Sequence, residues 1–475
     1  MSAPSSPSAL GDLTQHPVAR QLGQRFADAG FELAMVGGCV RDAVLGRVVH
    51  DVDFTTNARP DDITALVSPL AEAVWDVGRE FGTIAARIND VTVEITTYRS
   101  EDYDPESRKP SVQFGDTLEG DLRRRDFTVN AMAVTLPDGV LIDPFEGSEH
   151  IRRGVLKTPA APEESFDDDP LRMLRAARFA SQLGFQVDEP VVVAMAAMAE
   201  RLEIVSAERV RDELIKLLLG AQPRIGLELL CDTGLAALVL PELVAMKETA
   251  DEHNRHKDVY EHTLMVLEQA IDLERSHDPA SGPDLVLRLA ALLHDIGKPR
   301  TRRFDGPHRV TFHHHEVVGA KMTRKRMKAL RFSNEQIDEV STLVELHLRF
   351  HGYGSGEWTD SAVRRYARDA GPLLVRLHKL TRADCTTRNT RKAQNLARTY
   401  DQLELRIAQL SAQEQLDAIR PDLDGQQIMD ILGLQPGPAV GEAYRFLLDL
   451  RLDRGPLGPQ LAEEALRAWW AARTG

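Results

Sequence analysis

The spacing of apolar positions changes once along the chain. Between about residues 15 and 150 they occur in short runs, at Phe31–Val36, Asp51–Thr55, Thr83–Ile88, Val91–Thr96 and Ala133–Thr135, separated by Gly, Asn, Asp and Pro. Runs of that length, rich in β-branched residues and bounded by turn formers, predict strands. After Asp143-Pro144, Leu, Ala, Arg and Glu recur at helical spacing, with Pro and Gly as punctuation. The pattern predicts an α+β head followed by a long all-α remainder. Residues 1–12, rich in Ser, Pro and Ala, read as a flexible tail. Glu101 to Gly120 is polar, lacks periodicity and reads as a mobile loop. No repeat of fixed period is present.

Two of the predicted strands carry acids in an unusual place. In Asp51-Val52-Asp53-Phe54-Thr55, side chains alternate, so Asp51 and Asp53 share one face and Val52 and Phe54 the other. Acids are disfavoured in strands, and two on one face repel each other. A divalent cation between them would offset that cost. Val91-Thr92-Val93-Glu94-Ile95 repeats the pattern, with Glu94 outward and Val91, Val93 and Ile95 inward. Three carboxylates on neighbouring strands suit a two-metal site for Mg²⁺, a hard cation that binds oxygen and substrate phosphates. Upstream, Gly37-Gly38-Cys39-Val40-Arg41-Asp42 joins a strand to a helical pattern ending at Gly46. Paired glycines there let backbone N–H groups approach an anion, with Arg41 one turn further on.

Arginine clusters follow. Arg123-Arg124-Arg125-Asp126 precedes an apolar segment, where Arg125 and Asp126 suit a phosphate and a ribose hydroxyl. In Asp167-Asp168-Asp169-Pro170-Leu171-Arg172-Met-Leu-Arg175-Ala-Ala-Arg178, Asp169 fits a helix N-cap and Pro170 the first helical position. Positions 169, 172, 175 and 178 step by three along one surface. Cytosine and adenine both present an amine donor beside a ring-nitrogen acceptor. Asp169 can accept from the amine while Arg172 donates to the ring nitrogen. Uracil and guanine present the opposite order and leave polar groups unpaired, which hydrogen-bonding sites reject strongly.

The helical remainder holds a second set of candidate ligands. His262, His294-Asp295 and Asp384 are widely spaced in sequence, and His294 closes an apolar helix predicted from Leu285 to Ile296, with Gly297 as its C-cap. Imidazole with carboxylate suits a divalent transition metal. Among His313, His314, His315 and His347, the pair His315 and His347 fits a second metal best.

Composition narrows the classes. The 475 residues are 43% hydrophobic and 28% charged, typical of a globular protein. Cys39, Cys231 and Cys385 lie far apart, which points to a reducing, cytoplasmic setting. The N-terminus lacks a signal-peptide pattern, and the longest apolar run, Val191 to Ala199, is too short to span a bilayer. A net charge of −15 argues against nucleic acid as a partner. Its distribution does not: residues 1–150 hold 25 acids and 13 bases, whereas residues 298–398 hold 22 bases and 10 acids. The run Lys321–Arg331 has six bases and no acid, and is a candidate polyanion surface.

Taken in order, GGxVRD, DxD, EITTYR, RRDFTxNAMA, DDPLRMLRAxRF and ERVRDELIKLLL (Glu208 to Leu219) resemble class II bacterial CCA-adding tRNA nucleotidyltransferases, which share a polymerase-β-type head with bacterial poly(A) polymerases. The resemblance runs continuously over about residues 31–245. The later HDIG run resembles the HD-containing, actinobacterial type. It implies a flexible tail at 1–14, a head at 15–150, a helical neck at 151–245 with the base-selecting and RNA-binding region, an HD domain at 246–398 and a helical tail at 399–475. By the same resemblance, Asp51, Asp53 and Glu94 are catalytic and hold Mg²⁺. Gly38 and Arg41 contact the triphosphate, Arg125 and Asp126 lie near ribose and phosphates, Asp169 and Arg172 read the base, and Arg175 and Arg178 hold the nucleotide. The family's template motif begins with Glu where this chain has Asp168. The implied partners are tRNA, CTP and ATP, with a monomer or homodimer and no membrane. The alternatives are a poly(A) polymerase, an HD-type phosphohydrolase, or an RNA-binding protein without activity.

Overall fold

The computed structural model describes residues 11, 13–49, 52–76, 78–102, 111–115, 117–249, 259–277, 282–304, 310–352, 358–386, 389–414 and 420–474. They fall into two compact units, Met1–Pro241 and Glu242–Gly475.

The first unit is built on a seven-stranded sheet. Its strands are β1 (Leu33–Val36), β2 (Val52–Thr56), β3 (Ala73–Trp75), β4 (Thr83–Ile88), β5 (Val91–Thr97), β8 (Ala133–Leu136) and β9 (Leu141–Ile142), in the order β3-β4-β5-β2-β1-β8-β9. Between β5 and β8 in sequence, β6 (Arg99–Asp102) and β7 (Ser111–Phe114) form a separate antiparallel pair. The predicted strands are all present. The 101–120 stretch differs from its loop reading: β6 and β7 pair across residues 103–110, which lie outside the described residues, and a helix at Leu118–Arg123 follows. Backbone pairing there needs no apolar alternation, so periodicity does not reveal it.

Within the seven-stranded sheet, among the described residues, β2 and β5 are the parallel neighbours, and their register sets Asp53 opposite Glu94. Val52, Phe54, Val93 and Ile95 are buried while Asp53 and Glu94 are exposed, as the alternation requires. The apolar face packs with the Pro17–Asp28 and Pro60–Val67 helices, whose Leu22, Phe26 and Ile63 are fully buried. The sheet therefore has a core on one side and lifts its acids on the other. Behind it come helices at Pro162–Asp168, Leu171–Leu183, Ala207–Leu218 and Pro223–Asp232, the last two packed on Leu171–Leu183.

Among its described residues, the second unit is helical apart from one two-stranded pair, Arg303–Phe304 with Val310–Thr311. The helices at Val259–His277, Leu285–Leu293, His315–Ala329, Asn334–Leu346 and Leu374–Ala383 pack on one another. Three helices from Gly425 to Thr474 bury their own cluster of Leu423, Ile428, Ala443, Leu447, Ala462 and Leu466. No helix among the described residues is long and apolar enough to cross a membrane.

Candidate nucleotide site and candidate metal centre

A cavity of about 530 Å³ opens over the acidic end of β2 and β5. Its wall includes Gly38, Arg41, Asp53, Glu94, Arg125, Asp126, Asp169, Arg172, Arg175 and Arg178. Asp51 lies outside the described residues. Each of the other head and neck residues singled out from the sequence thus meets at one place, although they span more than 130 positions of chain.

Local structure explains how. Gly37 has φ +75°, a conformation that favours glycine, and it turns β1 directly into the Gly38–Val44 helix. That short turn aims Arg41 into the cavity. Arg41 donates to Asn130 Oδ1 at 2.8 Å and forks onto Asp42 at 2.9 and 3.0 Å. Asn130 in turn donates to Asp126 Oδ1 at 3.0 Å, and Asp126 Oδ1 also accepts from the Phe127 N–H at 2.8 Å. Arg175 closes the chain, with Nε 2.8 Å from Asp126 Oδ2. Burial pushes the Asp126 carboxyl up, but the Arg175 guanidinium, the Asn130 amide and the Phe127 N–H outweigh it and hold it well below the usual carboxylate range. Asp126 and Arg175 therefore engage each other rather than standing apart as separate ligands.

Arg178 pairs with the buried Glu213 at 2.9 Å and lies 4.1 Å over the Phe179 ring. Burial, with the like charge of Arg175 beside it, brings Arg178 down to about 10, so it stays cationic at neutral pH. Not every residue of this wall stands out in the sequence. Asp121, almost fully buried, accepts from Thr55 Oγ1 at 3.3 Å and the Arg99 N–H at 3.3 Å, and holds Arg125 at 3.2 Å and Arg124 at 3.5 Å. Burial raises its carboxyl, and Arg125 and Arg124 more than offset this. Its place three residues before paired arginines was the available signal.

The Leu171–Leu183 helix starts one residue later than predicted. Asp169 has extended backbone and ends the preceding Pro162–Asp168 helix, and Pro170 precedes the first helical residue. Asp169 nevertheless keeps a capping role, since its Oδ1 accepts from the Leu171 N–H at 3.1 Å. Donor chemistry at the acidic end, with two described carboxylates facing each other across the β2–β5 register, fits a hard divalent cation such as Mg²⁺.

In the second unit, His262, His294 and Asp384 bring ligand atoms within 4.8 Å of one another, and so do Asp295, His315 and His347. His262 Nε2 lies 3.0 Å from Asp384 Oδ1 and 3.4 Å from Asp295 Oδ2. His294 Nε2 is 3.1 Å from Asp295 Oδ2, and His315 Nε2 is 3.2 Å from Asp295 Oδ1. Three of the rings are fixed in one manner. His294, His315 and His347 each direct Nδ1 at the carbonyl three residues back, at 2.8, 2.8 and 2.6 Å, which turns Nε2 inward. His262 Nδ1 meets Thr386 Oγ1 at 3.2 Å instead. Burial, with His294 beside it, lowers His347 to about 3, so its ring is neutral and able to ligate. Its buried Nε2 has no hydrogen-bond partner among the described residues. An orphaned buried nitrogen among inward-facing imidazoles and carboxylates fits a divalent transition metal. His313 and His314 are exposed and stand outside the cluster.

Gly297 differs from its predicted role. The helix ends at Leu293, and Gly297 has φ −76° at the start of the next short helix, Lys298–Thr301. A Cβ there would lie 2.2 Å from the His315 carbonyl oxygen, so glycine is needed for close approach rather than for a left-handed cap. In the basic run, Arg326 forks onto Glu242 at 2.9 to 3.1 Å and Arg324 pairs with Asp338, while Lys321, Lys325 and Lys328 are exposed.

This arrangement, a nucleotidyltransferase-type sheet followed by helices and an HD centre, agrees with comparisons to known proteins. Models of the poly(A) polymerase head domain, of the probable RNA- and SrmB-binding site of polymerase A, and of the HD domain match residues 33–157, 184–246 and 259–389. The A-adding tRNA nucleotidyltransferase of Deinococcus radiodurans is 35% identical over 447 residues, covering 92% of this chain and 95% of that protein. The chain belongs to the bacterial poly(A) polymerase/tRNA nucleotidyltransferase family, in its form with an HD domain. The CCA-adding enzyme of Limosilactobacillus fermentum is 41% identical over 218 residues, covering 46% of this chain and 53% of that one. The crystal structure of the Bacillus stearothermophilus CCA-adding enzyme in complex with CTP superposes with a TM-score of 0.66 at 25% identity, over 97% of this chain and 99% of that one.

Proposed function

We propose that the chain adds or repairs the 3′-terminal CCA of tRNA without a nucleic-acid template, using CTP and ATP and releasing pyrophosphate. The observation that carries this reading is one cavity lined together by Asp53, Glu94, Arg41, Arg125, Asp169 and Arg172. Asp53 and Glu94, with Asp51, would hold Mg²⁺, which when bound stabilises charge on the nucleotide phosphates. Arg41 and Arg125 bind the triphosphate, each held in place by an acid of the protein, Asp42 and Asp121. Arg175 and Arg178 line the nucleotide's side of the cavity. Asp169 accepts from the exocyclic amine of cytosine or adenine, and Arg172 donates to the ring nitrogen. The tRNA 3′-hydroxyl attacks the α-phosphate, and pyrophosphate leaves. The helical region binds tRNA through backbone and shape.

The HDIG run supports assignment to the class II, actinobacterial type, with the domain limits given above, acting in the cytoplasm as a monomer or homodimer. Addition of A alone is the second reading. It is favoured by the Deinococcus relative, named A-adding, which this chain matches over nearly its full length. Incubation with tRNA lacking its 3′ end, Mg²⁺ and labelled CTP or ATP separates the two: incorporation of both nucleotides supports CCA addition, and use of ATP alone supports the second reading. Long A-tails on generic RNA would instead indicate a poly(A) polymerase. The HD cluster supports an additional metal-dependent phosphohydrolase activity. Phosphodiesterase activity lost in His294→Ala would support that assignment.

A further inference from the structure

Base selection by Asp169 and Arg172 needs both groups held in fixed directions, and neither holds the other. Arg172 sits on a wall with space on both sides. It lines the nucleotide cavity and also an adjoining cavity of about 460 Å³. A long guanidinium side chain between two open spaces loses its aim unless it is tethered. Asp168, the acid four residues before it, is 3.9 Å away, too far for a hydrogen bond. The tether comes from elsewhere. Arg172 Nη1 donates to Ser165 Oγ at 2.9 Å and to the Ser165 carbonyl at 3.3 Å, while Nη2 donates to the Arg124 carbonyl at 2.7 Å. Ser165 is buried. Asp169 is held independently, with Oδ1 on the Leu171 N–H and Oδ2 taking a 2.8 Å hydrogen bond from Arg209 of the Ala207–Leu218 helix.

We infer that Ser165 and Arg209 are positioning residues for nucleotide choice: Ser165 keeps Arg172 turned into the nucleotide cavity, and Arg209 fixes the plane of the Asp169 carboxylate. The inference rests on the reading of Asp169 and Arg172 as the base-selecting pair. The Ser165 bonds use both hydrogens of Nη1 and the Arg124 bond one of Nη2, which leaves Arg172 its Nε–H and the second Nη2 hydrogen for a base. After the Leu171 and Arg209 bonds, each Asp169 oxygen keeps acceptor capacity. The clamps thus fix direction without exhausting the groups that read.

The test compares kcat/KM for CTP, UTP, ATP and GTP in the full-length enzyme with tRNA acceptor, together with inhibition by inorganic triphosphate. Ser165→Ala should lower discrimination of CTP over UTP and of ATP over GTP by about tenfold, since small misplacements cost that much or more. Arg209→Ala, at an exposed position where folding is not at risk, should lower it in the same direction. Inhibition by triphosphate should stay unchanged in both, because Arg41 and Arg125 are untouched, and Ser165→Thr, which keeps the hydroxyl, should restore discrimination. Equal losses for all four nucleotides in both alanine variants, with ratios intact, would overturn the inference. Arg172→Ala separates the two levels. If it abolishes discrimination while Ser165→Ala and Arg209→Ala keep it, the positioning role falls and the base-reading pair stands. If the wild type itself shows no preference for C and A, the functional reading falls and takes this inference with it.

Discussion

The two candidate metal-binding regions are built in opposite ways. In the head, Asp53 and Glu94 stand exposed at the open end of two parallel strands, and the order around them comes from arginines held by other acids. In the HD unit His294, Asp295, His315 and His347 are buried, and three of the imidazoles are held by the backbone carbonyls three residues before them. The first design suits an ion that shares its shell with water and a substrate triphosphate. The second suits a resident ion whose cage is prepared in advance. Chemistry that must admit a new substrate each turn belongs to the open site.

The comparison can be broken by removing one set of ligands at a time. Asp53→Ala should reduce nucleotide addition at least about a thousandfold, the scale of losing a principal metal ligand in a reaction driven by charge stabilisation. Metal content of the HD unit, read by elemental analysis, should not change in that variant. His294→Ala should empty the HD cage, so that elemental analysis finds less metal and a chelator withdraws less, while labelled CTP is still incorporated. Loss of both properties in either variant would mean that the two regions are not independent.

Smaller effects sharpen the head's side of the comparison. Asp126→Asn leaves the Arg175 guanidinium without its carboxylate, at a cost of about 3 kcal/mol, read by denaturant unfolding. Because the folded state holds the Asp126 carboxyl below its unfolded value, its contribution is present above about pH 4 and fades as pH falls through and below that range. Acid titration of stability should therefore flatten in Asp126→Asn. The smallest effect concerns RNA affinity. Reversing Lys321, Lys325 and Lys328 to Glu should weaken tRNA binding about tenfold at low salt and reduce its salt dependence, since these charges are exposed. Arg326→Glu should act chiefly on stability, because Arg326 is committed to Glu242.

What the sequence made legible follows the same division. Alternation placed Asp53 and Glu94 on one face because the sheet has a buried side to enforce it. The helical step placed Arg172, Arg175 and Arg178 together for the same reason. The order of His and Asp residues carried His262, His294, Asp295 and Asp384, and the structure brings His315 and His347, the pair that fitted a second metal best in the sequence, together with Asp295. What stayed hidden depends on contacts between distant segments. Asp121 looked like one acid among many until Thr55, Arg99 and Arg125 closed around it. Ser165 became visible only when Arg172 folded back seven residues onto it. Gly297 was read as a cap because a glycine after a helix is usually one, whereas its neighbour is the His315 carbonyl, from a different helix. The β6–β7 pair escaped because Arg99-Ser100-Glu101-Asp102 has no apolar residue whose alternation would mark a strand, and backbone pairing needs none.

The most direct test is 3′-end sequencing of a tRNA lacking its last three nucleotides, after incubation with the protein, Mg²⁺ and all four nucleoside triphosphates. The account predicts products ending in C, C and A, with U and G absent, and no product from Asp51→Ala/Asp53→Ala. Products carrying U or G at these positions, or undiminished addition by that double variant, would contradict it.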